Sequence, residues 1–204
     1  SAQSPHFARS YLRGPGGLLA PEGARTLIPA LRKALGSRPL ELHSHCTIGL
    51  SQFNYLVGAE AGVSALHTAV GPLANGGSLP PADRTISNLR EQGFAVNVNE
   101  RALAEMTSYF DRLAAAEGLP AGQPQQYDAR YLRHQVAGGV LTTTRRQLAE
   151  LGKEYLFDAV MEEVEQVRFE LGSPIMVTPF PQIVCTQAML NVVGDERYSN
   201  VPDQ

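Results

Sequence analysis

Two periodicities alternate along the first 93 residues, and their order restricts the fold more than any single residue does. Short apolar runs of strand length occupy residues 9–12, 40–45 and 65–70. Helical patterns separate them. After Pro21, Leu27, Ile28, Leu31 and Leu35 keep the spacing of one helix face, and residues 51–61 form a second helical stretch that Gly62 ends. A Gly/Pro loop over 71–81 precedes a third helix, which Asp83 is placed to cap. Strand followed by helix, three times over, implies parallel strands joined by crossover helices. In open α/β sheets and in barrels alike, ligands gather at the carboxyl ends of such strands.

The second run ends in a histidine pair: Leu40-Glu41-Leu42-His43-Ser44-His45. Side chains alternate along a strand, so His43 and His45 point the same way. Two imidazoles on one face at a strand mouth form a geometry that holds a divalent metal. The spacing is equally compatible with two strand histidines that hydrogen-bond neighbouring loops.

From about residue 97 the strand signal disappears. Leu103, Met106, Phe110 and Leu113 mark an amphipathic helix that Asn99 is placed to cap. Phe157, Val160, Val164, Val167 and Leu171 mark another, stopped by Gly172, and a third is expected over 182–193. Residues 118–124 read as a linker. Net charge is −3 and no basic block occurs, which gives no reason to expect nucleic acid or an anionic membrane as partner. No apolar run reaches the length of a membrane span, and residues 1–10 lack the charged start and apolar stretch of a signal peptide. Cys46 and Cys185 form no C-x-x-C pair, so a reducing cytoplasm is the expected setting.

Five segments in order carry a resemblance: Gly-Pro-Gly-Gly-Leu-Leu (14–19), Leu-His-Ser-His-Cys-Thr (42–47), Gly-Gly-Val-Leu (138–141), Val-Thr-Pro-Phe-Pro-Gln-Ile-Val-Cys-Thr-Gln-Ala (177–188) and Asn-Val-Val-Gly-Asp-Glu-Arg-Tyr (191–198). Together they resemble the carboxyltransferase domain of pyruvate carboxylase, the oxaloacetate decarboxylase alpha subunit and the transcarboxylase 5S subunit. The resemblance implies an α/β fold, the C-terminal part of a (β/α)8 TIM barrel over 1–95, followed by an all-helical, funnel-like conserved carboxylase domain over 96–204. It implies metal-dependent, biotin-dependent transfer of CO2 to or from a 2-oxo acid such as pyruvate or oxaloacetate. His43 and His45 match the family's metal-binding pair. Zn or Mn is the expected ion, and biotin is expected on a separate carrier protein or domain. Gln182 and Gln187 match amides near the funnel, where they contact substrate or biotin or else satisfy backbone groups.

The chain also departs from the family pattern. The family lysine that carries a carbamate ligand is replaced by Arg13, and the following aspartate by Gly14. A guanidinium stays protonated and only donates. The family threonine that shuttles a proton falls at Gly77, with Ser78 beside it as a substitute hydroxyl. His67 stands where relatives carry Asp, either as a third imidazole near the site or as a half-buried strand histidine. Cys185 replaces a Gly and reads as packed. His134 reads as exposed and Arg197-Tyr198 as a structural pair.

A whole barrel takes about 200–250 residues, and about 90 precede the helical region here. The resemblance places the start near the fifth or sixth strand, with residues 1–7 as a loop. No Met-Lys-Met biotin attachment motif occurs in the 204 residues. Three expectations follow. The first is a carboxyltransferase or decarboxylase component, completed as a homo- or hetero-oligomer. The second is a catalytically impaired relative that serves as a binding or assembly subunit. The third is a biotin-independent 2-oxo acid lyase or aldolase that uses the same histidines, since enolate stabilisation is common to these reactions.

Overall fold

In the computed structural model, which describes residues 9–202, three strands form one parallel sheet in the order β1 (Ser10–Gly14), β2 (Leu40–Ser44) and β3 (Ala65–Leu66). The loop expected over residues 1–7 lies outside the described residues. The register sets Leu12 against Leu42, Arg13 against His43 and Leu42 against Leu66. Helices α1 (Pro21–Leu35) and α2 (Ser51–Glu60) make the crossovers.

Alternation along β2 decides which face meets the helices. Leu40 and Leu42 turn inward and pack with Ala24, Ile28, Tyr55 and Val57 of α1 and α2 in one buried cluster. Each large aliphatic side chain buried there contributes about 1.5–3 kcal/mol. Glu41, His43 and, beyond the strand, His45 take the opposite face. A shift of one residue in pairing would drive the charged set into the apolar layer, so the register is strongly specified.

The third strand is shorter than the run over 65–70 suggested. The ladder continues once past Leu66, where His67 N–H donates to the Leu42 carbonyl at 3.0 Å. Then the Tyr55 hydroxyl enters it, accepting from Ser44 N–H at 3.3 Å and donating to the His67 carbonyl. A buried phenol thus occupies the place of the next strand-to-strand bond, and the two chains part. Only an isolated bridge, Ala69 with Pro81, follows.

Two helices complete this part of the chain: α3 (Ala82–Glu91) and α4 (Glu100–Ala116). Asp83 lies inside the first turn of α3 and makes no cap bond; Pro81 stands at the cap, and the carboxylate acts only through its charge near the helix N-terminus. Asn99 does cap α4, its Oδ1 accepting from Ala102 N–H at 3.1 Å. The stretch read as a linker is tied down, because Gly122 N–H donates to the Pro72 carbonyl at 2.8 Å.

The chain divides into two compact units, Ser1–Tyr127 and Asp128–Gln204. The helices expected from residue 96 onward therefore begin inside the first unit. Among its described residues the second unit holds helices and no strand: α5 (Arg130–His134), α6 (Gly138–Glu150), α7 (Phe157–Glu170) and α8 (Phe180–Val193). Its core gathers Val136, Leu148, Val160, Val164, Val167 and Val184, all fully buried. Gly138-Gly139, the start of one of the segments that carry the resemblance, opens α6. His134, expected at the surface, is buried, and its Nδ1 accepts from Val136 N–H at 3.1 Å. Among the described residues no helix is long and apolar enough to cross a membrane.

Candidate functional site at the strand ends

The polar face of the sheet brings together side chains from all three strand segments. His43 and His45 turn toward each other, with Nε2 to Nε2 at 3.1 Å. His67, carried just past β3, meets His43 from the other side, Nδ1 to Nδ1 at 3.2 Å. Behind His67 lies Glu41, whose Oε2 is 2.9 Å from His67 Nε2 and whose Oε1 accepts from Arg9 at 3.1 Å. Glu41 is only 5% exposed, so a buried carboxylate anchors the row. Its pKa lies below the ordinary carboxylate value, chiefly because of the hydrogen bond with His67, with burial opposing.

Both members of the histidine pair titrate below the usual histidine range. For His43 burial is the main cause, followed by the charges of His45, His67 and Arg13. For His45 burial again leads, a hydrogen bond to the Gly77 backbone opposes it, and Arg13 adds to it. Neutral imidazoles with free lone pairs are the form that ligates metals. Tetrahedral nitrogen donors about 2.1 Å from an ion lie about 3.4 Å apart, and the two Nε2 atoms stand a little closer, at 3.1 Å.

Two loops frame the pair. Gly17 comes from the Gly-Pro-Gly-Gly turn after β1; its φ is +66° and any Cβ there would run into the His45 carbonyl, so only glycine lets the turn lie this close. The 75–81 loop docks on the other side. Cys46 N–H donates to the Ser78 carbonyl at 2.7 Å, and Ser78 N–H to the Asn75 carbonyl at 2.9 Å. This puts Gly77 and Ser78 beside His45. Arg13 lies opposite His43 in the register and its side chain is exposed. Cys46 itself is inert: burial raises its thiol pKa to about 11.

Of the sequence-derived candidates, His43, His45, Arg13 and Ser78 therefore converge on one sheet end. Gln182 and Gln187 belong to the second unit and line a separate cleft of about 430 Å³ with Thr178, Ile183 and Pro202. Gln187 is buried, and its amide donates to Asn191 Oδ1 at 2.8 Å and to the Asn200 carbonyl at 3.1 Å. Gln182 is exposed. Arg197 and Tyr198 form a structural pair: Arg197 bonds Glu163 at 2.8 Å and Glu170 at 3.0 Å, and the Tyr198 hydroxyl also donates to Glu170. Cys185 is packed, with its thiol pKa pushed up to about 12 by burial. Glu41 was not among the residues expected at the site. The signal for it was there, since Glu41 precedes His43 by two residues and so shares its face.

Comparison with known proteins points to one family. Residues 132–204 match the conserved carboxylase domain family. A pyruvate carboxylase subunit of Methanocaldococcus jannaschii is 37% identical over 189 residues, which cover 92% of this chain and 33% of that protein. The methylmalonyl-CoA carboxyltransferase 5S subunit of Propionibacterium freudenreichii subsp. shermanii is 30% identical over 186 residues, covering 91% and 37% respectively. The carboxyl transferase domain of Rhizobium etli pyruvate carboxylase, solved with pyruvate, superposes with a TM-score of 0.84 at 23% identity, covering 95% of this chain and 33% of that one. The chain thus spans about a third of the length of the relatives it matches.

Proposed function

This chain belongs to the carboxyltransferase family that includes the archaeal pyruvate carboxylase subunit and the transcarboxylase 5S subunit, and from that premise we propose that it takes part in moving CO2 between carboxybiotin and a 2-oxo acid of the pyruvate or oxaloacetate type. One observation carries the reading: two neutral imidazoles, His43 and His45, converge at the carboxyl end of a parallel sheet with their Nε2 atoms 3.1 Å apart.

The donor set fits a divalent ion in part. His43 and His45 supply two nitrogens 3.1 Å apart, close to the spacing of adjacent ligands. Arg13, which replaces the carbamate-bearing lysine, supplies none. Among the described residues no group of three or more His, Cys, Asp or Glu side chains is arranged around one ion, so further ligands come from substrate, water or another chain. When bound, such an ion supplies Lewis-acid stabilisation of enolate charge.

The protein's own contributions are positional and protonic. His43 and His45 orient the 2-oxo acid at the strand ends. Arg13, a permanent cation on the neighbouring strand, holds the substrate's carboxylate or the developing negative charge. Carboxybiotin, when delivered, would supply CO2 to the enolate carbon as its C–N bond breaks, and its freed nitrogen would take up the methyl proton of pyruvate; Ser78 is the hydroxyl proposed to relay that proton. Biotin would arrive on a separate carrier, and Gln182, exposed on the second unit, is the amide we assign to its recognition.

Elemental analysis tests the reading. The purified chain loaded with Zn or Mn is expected to retain about one equivalent and to decarboxylate oxaloacetate. The His43→Ala/His45→Ala double variant is expected to lose both. Retention of metal by the double variant would dismiss the pair as ligands. A second reading rests on Arg13 and Gly77 at the family's lysine and threonine positions: a relative that keeps its surfaces and assembles with another carboxylase chain without chemistry of its own. Neither metal nor turnover in the native chain, together with a stable complex with a carboxylase partner, would select it.

A further inference from the structure

Glu41, His67 and His43 form a continuous chain of hydrogen bonds that ends at the histidine pair. The donors and acceptors along it can be assigned from one end. An ionised carboxylate only accepts. Arg9 donates to Glu41 Oε1 at 3.1 Å, so the remaining oxygen, Oε2, takes the proton of His67 Nε2 at 2.9 Å. A neutral imidazole carries one N–H. In the neutral form of His67, protonation at Nε2 makes Nδ1 an acceptor, and the proton between the two Nδ1 atoms, 3.2 Å apart, belongs to His43; a doubly protonated His67 would reverse that bond. His43 Nε2 is then left bare, facing His45 Nε2.

The geometry points to Glu41 and His67 as positioning residues that set the tautomer of His43, holding its proton on Nδ1 and its lone pair on Nε2 at the candidate metal position. The inference rests on the proposed role of His43 as a ligand. It differs in kind from a claim that His67 is a third ligand: His67 uses both ring nitrogens on Glu41 and His43, and neither faces the Nε2 pair. It also gives a purpose to a carboxylate that is almost wholly buried on the polar face of the sheet, since a ligating histidine is oriented by what its other nitrogen bonds. The backbone supports the row independently, because the Tyr55 hydroxyl holds the His67 carbonyl from the opposite side of the sheet.

Two readouts on the full chain test it. The first is the ring-nitrogen NMR signature of His43 without metal. The second is Zn2+ affinity by competition with a chelating dye. In the native chain His43 is expected as the Nδ1–H tautomer. His67→Phe keeps a ring of similar size and removes the relay. Glu41→Gln keeps the shape and introduces an amide donor that favours the reversed polarity. Both variants are expected to shift His43 toward the Nε2–H form and to weaken Zn2+ binding about 10–100-fold. An unchanged His43 signature in a folded Glu41→Gln protein overturns the inference, as does a Zn2+ affinity within about twofold of native in both variants. If the native chain takes no Zn2+, the ligand reading fails, while the NMR signature still decides whether the relay sets the tautomer.

Discussion

His134 shows what burial does to a single titratable group. It is 5% exposed in the second unit and its pKa is lowered to about 4, first by burial, with Asp128 opposing and nearby arginines assisting. The folded value lies below the ordinary 6.5, so the unfolded chain binds more protons between the two. Stability is therefore intact above about pH 6.5 and falls as the pH drops toward 4. The loss approaches about 3 kcal/mol, since each tenfold change in proton affinity is worth about 1.4 kcal/mol. Urea unfolding of the full chain at pH 7 and pH 4.5 should show a drop that is largely missing in His134→Gln. Equal drops in both proteins would assign the acid sensitivity to other groups. Exposure was the simpler expectation for this residue because its neighbours in sequence, Arg133 and Gln135, are polar.

At the level of elements, legibility followed contrast between periods. The order of strands and crossover helices was readable because alternation in β2 and three- and four-residue spacing in α1 are distinct patterns, and α7 has an uninterrupted apolar stripe. Helix α6 escaped notice because its buried positions, Leu141, Thr144 and Leu148, include a threonine and are flanked by further threonines. The candidate site was legible to the extent that its residues lie on one strand: His43 and His45 were visible, whereas the link from Glu41 through His67 depends on pairing between strands distant in sequence. Helices also differ in how firmly they are held. None of the residues of α4 is buried, while Leu148 of α6 is fully so. Leu148→Ala is expected to cost about 2–5 kcal/mol. Met106→Ala, at a half-exposed position, should stay within about 0.5 kcal/mol. Thermal melts of the two variants check the contrast, which fails if Met106→Ala is the more damaging.

For the whole molecule, the sheet is the feature that reaches beyond the chain. Among the described residues, β1 and β3 are the edge strands of the sheet, and Tyr11 and Arg13 on its polar face are exposed. Open edges and a polar face call for association. We expect sedimentation at micromolar concentration to show a species larger than the 22.0 kDa of one chain, either a self-assembly or a complex with added carboxylase subunits. A single 22.0 kDa species under both conditions would argue against completion of the site by a second polypeptide.

The Tyr55 hydroxyl wedged between Ser44 and His67 has a consequence for how such a surface changes over time. It grips the main chain from the apolar side, so the spacing of the segments that bear the imidazoles does not depend on what those side chains are. Scaffold and chemistry are thereby uncoupled. Substitution at 43 or 45 can erase or rewrite an activity at little cost to the fold, whereas His67 also partners the buried Glu41 carboxylate and is less free to change.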